Sequence, residues 1–169
     1  EPSRSATFYA VQQARQAEAL VVLDVDFRAD QWHDPRAFAL AIGSILPMVD
    51  IVLGTEEEIK AAMLVEEAEV RIQDSQISAP EVSGDLDAAI RAILKTKPQL
   101  VVVKRGARGC SLFRPGETPI DVPGFPVEVL NVLGAGDAFA SGFIYGTLMG
   151  WEAGQAARFA NACGAIVVS

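Results

Sequence analysis

The residues best suited to chemistry lie near the end of the chain, in Asn131-Val132-Leu133-Gly134-Ala135-Gly136-Asp137, which runs straight into the apolar segment Ala138-Phe139-Ala140-Ser141-Gly142-Phe143. A glycine-rich turn that opens a helix leaves the first backbone N–H groups without intrahelical acceptors and directs them to one spot. The helix dipole adds roughly +0.5 charge there, which suits a phosphate oxygen. Asp137 stands at that positive end, where a carboxylate is stabilised in its ionised form. An ionised carboxylate beside an anion-binding turn is what activation of a hydroxyl for phosphoryl transfer requires. The same residues fit equally well a tight turn made by Gly134 and Gly136, with Asp137 capping a helix. The rest of the chain has to separate the two readings.

Three apolar, β-rich runs end in polar clusters. Leu20-Val21-Val22-Leu23-Asp24-Val25-Asp26 reads as a strand buried on both faces of a parallel sheet, with Asp24, Asp26, Arg28, Asp30 and Gln31 gathered at its C-terminal end. Asp50-Ile51-Val52-Leu53 is a second such strand, closed by Gly54-Thr55, and Thr55 with Glu58 has the spacing of a capping box. Leu100-Val101-Val102-Val103 is a third, ending in Lys104-Arg105-Gly106. In open α/β sheets ligands collect at this carboxyl edge.

Between the runs, helices are expected over 5–19, from Asp34-Pro35 to about Leu46, and over 85–95. Gly109 and Cys110-Ser111-Leu112-Phe113 read as a tight turn into another strand, and Ile120-Asp121-Val122 as a short β piece. Two apolar helices, 137–149 and 152–168, are parted by Gly150-Trp151. The polar stretch 66–87 reads as a surface excursion whose acidic residues form a solvated face. Alternating strands and helices imply an α/β fold with a largely parallel sheet, without a domain boundary or internal repeat.

Composition narrows the function classes. The 169 residues are half hydrophobic, and 14 basic against 22 acidic residues leave a net charge of −8. That suits one well-buried domain and argues against non-specific nucleic-acid binding, which needs a basic surface. A small anionic ligand stays compatible, because a few local cations and amides outweigh the global sign. Cys110 and Cys163 lack metal-type spacing, so a reduced, cytoplasmic setting is the simplest expectation. No apolar run reaches the roughly 20 residues of a membrane span, no signal peptide is visible, and both ends look cut. His33 is the only histidine, which gives little support to a multi-histidine metal site or a Ser-His-Asp triad; it reads as a surface or capping residue. Trp32 fits a pocket wall and a packing role about equally. Walker A, protein-kinase and dinucleotide fingerprints are all missing.

A nucleotide-dependent phosphoryl transferase needs a base, an anion hole, a metal holder and cations for the phosphates. Asp137, the Gly134–Gly136 amides, Glu57 or a neighbour, and Lys104 or Arg105 offer these in turn. Val132-Leu133-Gly134-Ala135-Gly136-Asp137-Ala138-Phe139 resembles the C-terminal signature of the ribokinase-like (PfkB) sugar kinases. Leu23-Asp24-Val25-Asp26-Phe27-Arg28 with Trp32 is similar to that family's D-x-N-x-R…W segment in a branch acting on sugar acids. Ile51 to Glu58 resembles its N-x-x-E region, Val103 to Gly109 the strand and turn that follow, and Phe159-Ala160-Asn161-Ala162-Cys163-Gly164-Ala165 the helix beside the nucleotide base. The segments occur in the family's order across nearly the whole chain.

The resemblance implies a three-layer α/β sandwich with a mainly parallel sheet. Residues 1–169 would be the C-terminal, nucleotide-binding part of one kinase domain, without the N-terminal strands and lid. It implies Asp137 as general base and Gly134, Ala135 and Gly136 as the anion hole. Lys104, with Gly106 and Gly109 in the same turn, would approach the nucleotide phosphates, and Asn161 would border the adenine pocket. Glu57 would help hold Mg²⁺ through water, and Asp26 and Arg28 would lie near the transferred group or an acidic substrate. ATP and Mg²⁺ are the implied cofactors, with a monovalent cation as a further candidate. The implied partners are a sugar acid and ATP, with no nucleic acid and no membrane, and a homo-oligomer built through contacts largely outside this chain. Gly54 stands where the family has asparagine, so one contact of the metal network is lost or supplied by Thr55 or Glu56. Without the family's N-terminal half, an unpaired sheet edge and exposed apolar surface are also expected.

Overall fold

The most apolar β-rich runs become the most buried strands. In β2 (Ile51–Thr55) and β5 (Leu100–Lys104) the first four residues are all buried and only the last is half-buried, as expected of strands covered on both faces. The computed structural model describes residues 2–64, 70–71 and 81–169. They form two compact units, Glu1–Val101 and Val102–Ser169, with the division falling inside β5.

In the first unit, β1 (Val22–Asp24) pairs in parallel with β2 in the register Val22↔Ile51, Leu23↔Val52 and Asp24↔Leu53. This strand is shorter than the Leu20–Asp26 run suggests. Val25 N–H adds one more bond to Leu53 O, but the next residue, Asp26, has a positive φ of 35° and turns the chain out of the sheet. Helix α2 (Pro35–Ile45) starts as expected, with Asp34 accepting from Arg36 N–H and proline at the first position. Helix α3 (Glu56–Ala62) follows β2 directly, and α4 (Leu86–Leu94) is capped by Asp85. Leu46, Val49, Val52, Leu53, Ile59 and Ile93 are fully enclosed and form the core of this unit. Burial of each such side chain is worth about 1.5–3 kcal/mol.

Helix α1 (Pro2–Gln16) buries no side chain; it is tied down by Arg15, whose guanidinium grips Asp50 at 2.9 Å. Asp50 also accepts from Val21 N–H and from Lys97 Nζ. Burial works against its charge, but Lys97, the Val21 amide and Arg15 prevail and hold its carboxyl below the usual range. Within the expected surface excursion, β3 (Val70–Arg71) and β4 (Glu81–Val82) form a short antiparallel ladder. Of the stretch 66–87, residues 66–69 and 72–80 lie outside the described residues.

In the second unit, β6 (Cys110–Phe113) pairs antiparallel with β7 (Ile120–Val122), Cys110 opposite Val122. Helices α5 (Ala135–Leu148) and α6 (Ala153–Val168) form a hairpin through Gly150 and Trp151. Two glycines set how closely they approach. A Cβ on Gly142 would lie 2.9 Å from Cys163 Sγ, and one on Gly146 would lie 2.7 Å from Ala156 Cβ. This hairpin carries exposed apolar side chains. Leu148 and Ile166 are more than 70 % exposed, and a shallow apolar groove is lined by Tyr145, Trp151, Phe159 and Cys163.

Candidate active site

The segment approaching the Gly134 motif is fastened to the end of α6. Leu130 and Asn131 N–H both donate to Val168 O, at 2.8 and 3.3 Å, and Asn131 Oδ1 accepts from Leu133 N–H at 2.9 Å. Gly134 then adopts the left-handed conformation (φ 83°, ψ −3°), which glycine reaches without steric cost, and α5 begins at the next residue, two earlier than expected. Gly134 stands at the N-cap with no side chain closing the helix end. The N–H of Ala135 turns back to Val132 O at 3.3 Å, so the following amides, Gly136 and Asp137, head the helix. Asp137 is exposed in this first turn.

Two close approaches shape the surroundings of that helix end. A Cβ on Gly136 would lie 3.5 Å from Lys104 Nζ, so the ammonium at the end of β5 sits beside the first turn of α5. A Cβ on Gly164 of α6 would lie 3.4 Å from Ala135 O. A cation, a dipole end and a carboxylate thus converge within the second unit. Their arrangement can accept an anion and move a proton at the Asp137 carboxylate.

Gly106 and Gly109 belong to the turn after Lys104, and both have positive φ (58° and 94°). Gly106 faces open space, whereas Gly109 lies against the chain leaving β7. Asn161, on α6, is buried and donates from Nδ2 to Val122 O and Pro123 O, each at 3.1 Å. Burial pushes the neighbouring Cys110 thiol up to about 11, with Asn161 and Arg105 acting in the opposite direction.

The first unit holds the other expected site residues. Asp26, in its left-handed conformation, accepts from Arg28 Nε at 2.9 Å, and this carboxylate raises the Arg28 pKa further. A non-glycine residue at such a φ is uncommon, and short polar side chains tolerate it best. Glu57 is engaged on both oxygens, accepting from Lys60 Nζ at 2.8 Å and from Val82 N–H at 2.6 Å. Thr55 and Glu58 complete the capping box: Thr55 Oγ1 accepts from Glu58 N–H and Glu58 Oε2 from Thr55 N–H. Gly54 has a packing reason, since a Cβ there would lie 3.0 Å from Ile59 Cδ1. Trp32 packs edge-on against Phe38, and His33 is exposed. Among the described residues no group of three or more His, Cys, Asp or Glu could hold a metal ion. None of their helices is long and apolar enough to cross a membrane.

The model of the pfkB family of carbohydrate kinases matches residues 1–169, the whole chain. The chain belongs to the PfkB family. Among curated relatives, the 5-dehydro-2-deoxygluconokinase of Clostridium tetani is 32% identical over 168 residues, covering 99% of this chain and 46% of the relative. That of Shouchella clausii is 33% identical with 99% and 47% covered. This PfkB chain therefore spans about half the length of the curated relatives it matches. A fructokinase from Vibrio cholerae, solved with fructose, ADP and calcium, superposes with a TM-score of 0.80 at 26% identity, over 100% of this chain and 51% of that one. A ribokinase II from E. coli, solved with ATP and Mg²⁺, gives 0.77 at 27% identity, over 96% and 46%. The fold is accordingly ribokinase-like α/β, and the family is one of sugar kinases.

Gly124 and the carbonyls of Val122 and Pro123 escaped the sequence reading, although they hold the Gly109 turn and Asn161. The Pro123-Gly124 dipeptide was the available signal, because such pairs mark specific turns.

Proposed function

We propose that this chain is the C-terminal, nucleotide-binding part of a single ribokinase-like domain whose whole protein transfers phosphate from ATP to the primary hydroxyl of a sugar acid. The reading rests on one observation above the others: α5 starts on an uncapped, left-handed Gly134, with Lys104 Nζ beside Gly136 and Asp137 in the first turn. In this role Asp137 takes the proton from the acceptor hydroxyl, and the amides heading α5 stabilise charge on the transferred phosphoryl group. Lys104 neutralises nucleotide phosphates, Gly106 with its open face lets the backbone of the same turn approach them, and Gly109 keeps that turn against the chain leaving β7. Asn161 borders the base.

The residues present fit a nucleotide phosphate, for which the bare helix end and adjacent ammonium are complementary. Toward Mg²⁺, which keeps most of its waters, Glu57 would act through water, since its two oxygens already accept from Lys60 Nζ and Val82 N–H. When bound, the metal would supply charge neutralisation at the phosphates. A monovalent cation is a further candidate cofactor.

5-Dehydro-2-deoxy-D-gluconate is the substrate supported best, giving its 6-phosphate and placing the reaction in inositol catabolism. Asp26 at the family's asparagine position and Gly54-Thr55-Glu56-Glu57 are the local cues, and the relatives at 32–33% identity carry that name. The Asp26-held guanidinium of Arg28 suits an acidic substrate. 2-Keto-3-deoxygluconate and fructose are the alternatives within the family. A cytoplasmic location and a homo-oligomer remain part of this proposal.

The deciding experiment pairs ATP calorimetry with an ADP-release assay across these sugars, on this chain and on a polypeptide of the relatives' full length. In the longer polypeptide Asp137→Asn should retain ATP binding and lower turnover about 10²–10⁴-fold, the usual contribution of a positioned base. Undiminished turnover would remove Asp137 from that role. Because the chain spans half of its relatives, a second reading predicts ATP binding by the 169 residues without turnover.

A further inference from the structure

Asn161 lies 57 positions beyond Lys104 in sequence, yet a continuous set of contacts within the second unit links the two. The turn after β5 closes on itself, Arg105 N–H donating to Gly109 O at 2.8 Å and Gly109 N–H to Gly106 O at 3.0 Å. That turn is clasped to the chain leaving β7. A Cβ on Gly109 would lie 2.1 Å from Val122 O, and one on Gly124 would lie 2.4 Å from Ala107 O. Both contacts are with backbone that cannot swing aside, so only glycine fits either position. Gly124 N–H completes the clasp with a bond to Arg108 O at 3.3 Å.

Asn161 is the side chain that holds the far side of this clasp. Its Nδ2 donates to Val122 O and to Pro123 O, the two carbonyls immediately before Gly124. Its Nδ2 is thereby directed at backbone and at the neighbouring Cys110 thiol, all inside this unit. A buried amide stabilises the partners it joins, and its loss removes a donor from the buried Val122 carbonyl and the part-buried contact to Pro123 O.

We infer that Asn161 is a positioning residue: it fixes the β7 exit on α6 and, through the Gly109–Gly124 clasp, holds the Lys104–Gly109 turn in shape. This deepens the nucleotide-binding reading, on which its functional consequence rests. Asn161 serves the phosphate side of the site through the backbone, and its amide does not read the base by donation.

Hydrogen exchange on this chain without nucleotide tests the positioning directly. Asn161→Asp is nearly isosteric and replaces both donors by an acceptor facing two carbonyls. It should speed exchange of the Arg105, Gly109 and Gly124 amides by about tenfold or more, while amides in the middle of α5 stay protected. Unchanged exchange at those amides overturns the inference. Should the variant fail to fold, the wild-type side chain decides: the Asn161 Nδ2 protons must exchange far more slowly than those of an exposed asparagine, and ordinary rates overturn the inference. Calorimetry with ATP and GTP separates the two readings. An equal loss of affinity for both nucleotides in Asn161→Asp, with faster exchange, supports positioning. A loss confined to ATP with unchanged exchange assigns Asn161 to base recognition instead. Faster exchange in a chain whose wild type binds neither nucleotide keeps Asn161 as the holder of the turn and removes the nucleotide-binding reading.

Discussion

Helices α3 and α5 both follow a glycine-containing segment and both carry acidic residues in the first turn, yet their N-termini are opposite in kind. The α3 end is closed by its own side chains, since Thr55 and Glu58 exchange bonds across the cap. The α5 end is left open by Gly134, which has no side chain to offer. The same contrast extends to their surroundings. In the first unit the named charged groups answer one another locally: Asp26 with Arg28, Glu57 with Lys60, and Asp50 with Arg15 and Lys97. In the second unit, Lys104 lies beside a helix end that still has amides to give. A helix end closed by its own side chains fixes structure; an open one leaves amides that a ligand can complete.

The contrast predicts where substitutions change stability and where they change binding. The largest stability effect belongs to Asp50. Its folded pKa lies below the roughly 3.9 of an unfolded aspartate, so it stabilises the fold above about pH 4, and that contribution is lost as pH falls through the depressed value. Asp50→Asn should therefore cost about 2–3 kcal/mol at pH 7 in denaturant unfolding, and the gap from wild type should narrow toward pH 3. A gap that does not depend on pH would mean that packing, and not charge, accounts for the effect.

The next effect has opposite signs for the two quantities. Gly136→Ala places a methyl about an ordinary contact distance from Lys104 Nζ, in the space between ammonium and helix end. Within a helix, alanine in place of glycine raises stability by up to about 0.5–1 kcal/mol. ATP affinity should nonetheless fall about tenfold, the worth of one hydrogen bond to a charged group. Calorimetry and a thermal melt on the same preparation check both. A variant that is stabilised and binds ATP as well as wild type would show that the open end of α5 is not where phosphate sits.

Periodicity and capping signals carried most of the fold. The β2 and β5 runs were legible because three and four consecutive β-branched or aliphatic residues, Ile51–Leu53 and Leu100–Val103, leave little alternative to a doubly covered strand, and Asp34-Pro35, Thr55…Glu58 and Asp85 mark helix starts by local bonds that need no tertiary context. The end of β1 was less legible. It depends on the positive φ of Asp26, a strained backbone choice that no pattern of side chains announces. At the site, the Gly134–Asp137 turn was readable from composition and order, because glycine beside a helix start is chemically distinctive. The clasp between Gly109 and Gly124 was not, since it joins backbone atoms across fifteen positions of chain and leaves no trace beyond two glycines. Asn161 illustrates the same limit: its place in the motif was evident, but the carbonyls it holds were determined by how α6 packs on β7.

The smallest effect tests the closed end of the comparison. Thr55→Ala removes the hydroxyl that accepts from Glu58 N–H and loosens the return bond from Thr55 N–H to Glu58, so stability should drop by about 1 kcal/mol. The N-cap of α3 would then lack a side-chain oxygen, as Gly134 does at the N-cap of α5. If openness alone made an anion site, Thr55→Ala would create a second one, and ATP or inorganic phosphate would bind with doubled stoichiometry. It should not, because the first turn of α3 carries Glu56, Glu57 and Glu58, whose charges repel a phosphate where α5 presents only Asp137 with Lys104 nearby. Calorimetric titration with phosphate should therefore return the wild-type stoichiometry. An added binding event would mean that the cap, and not the local charge, is what distinguishes the two helix ends.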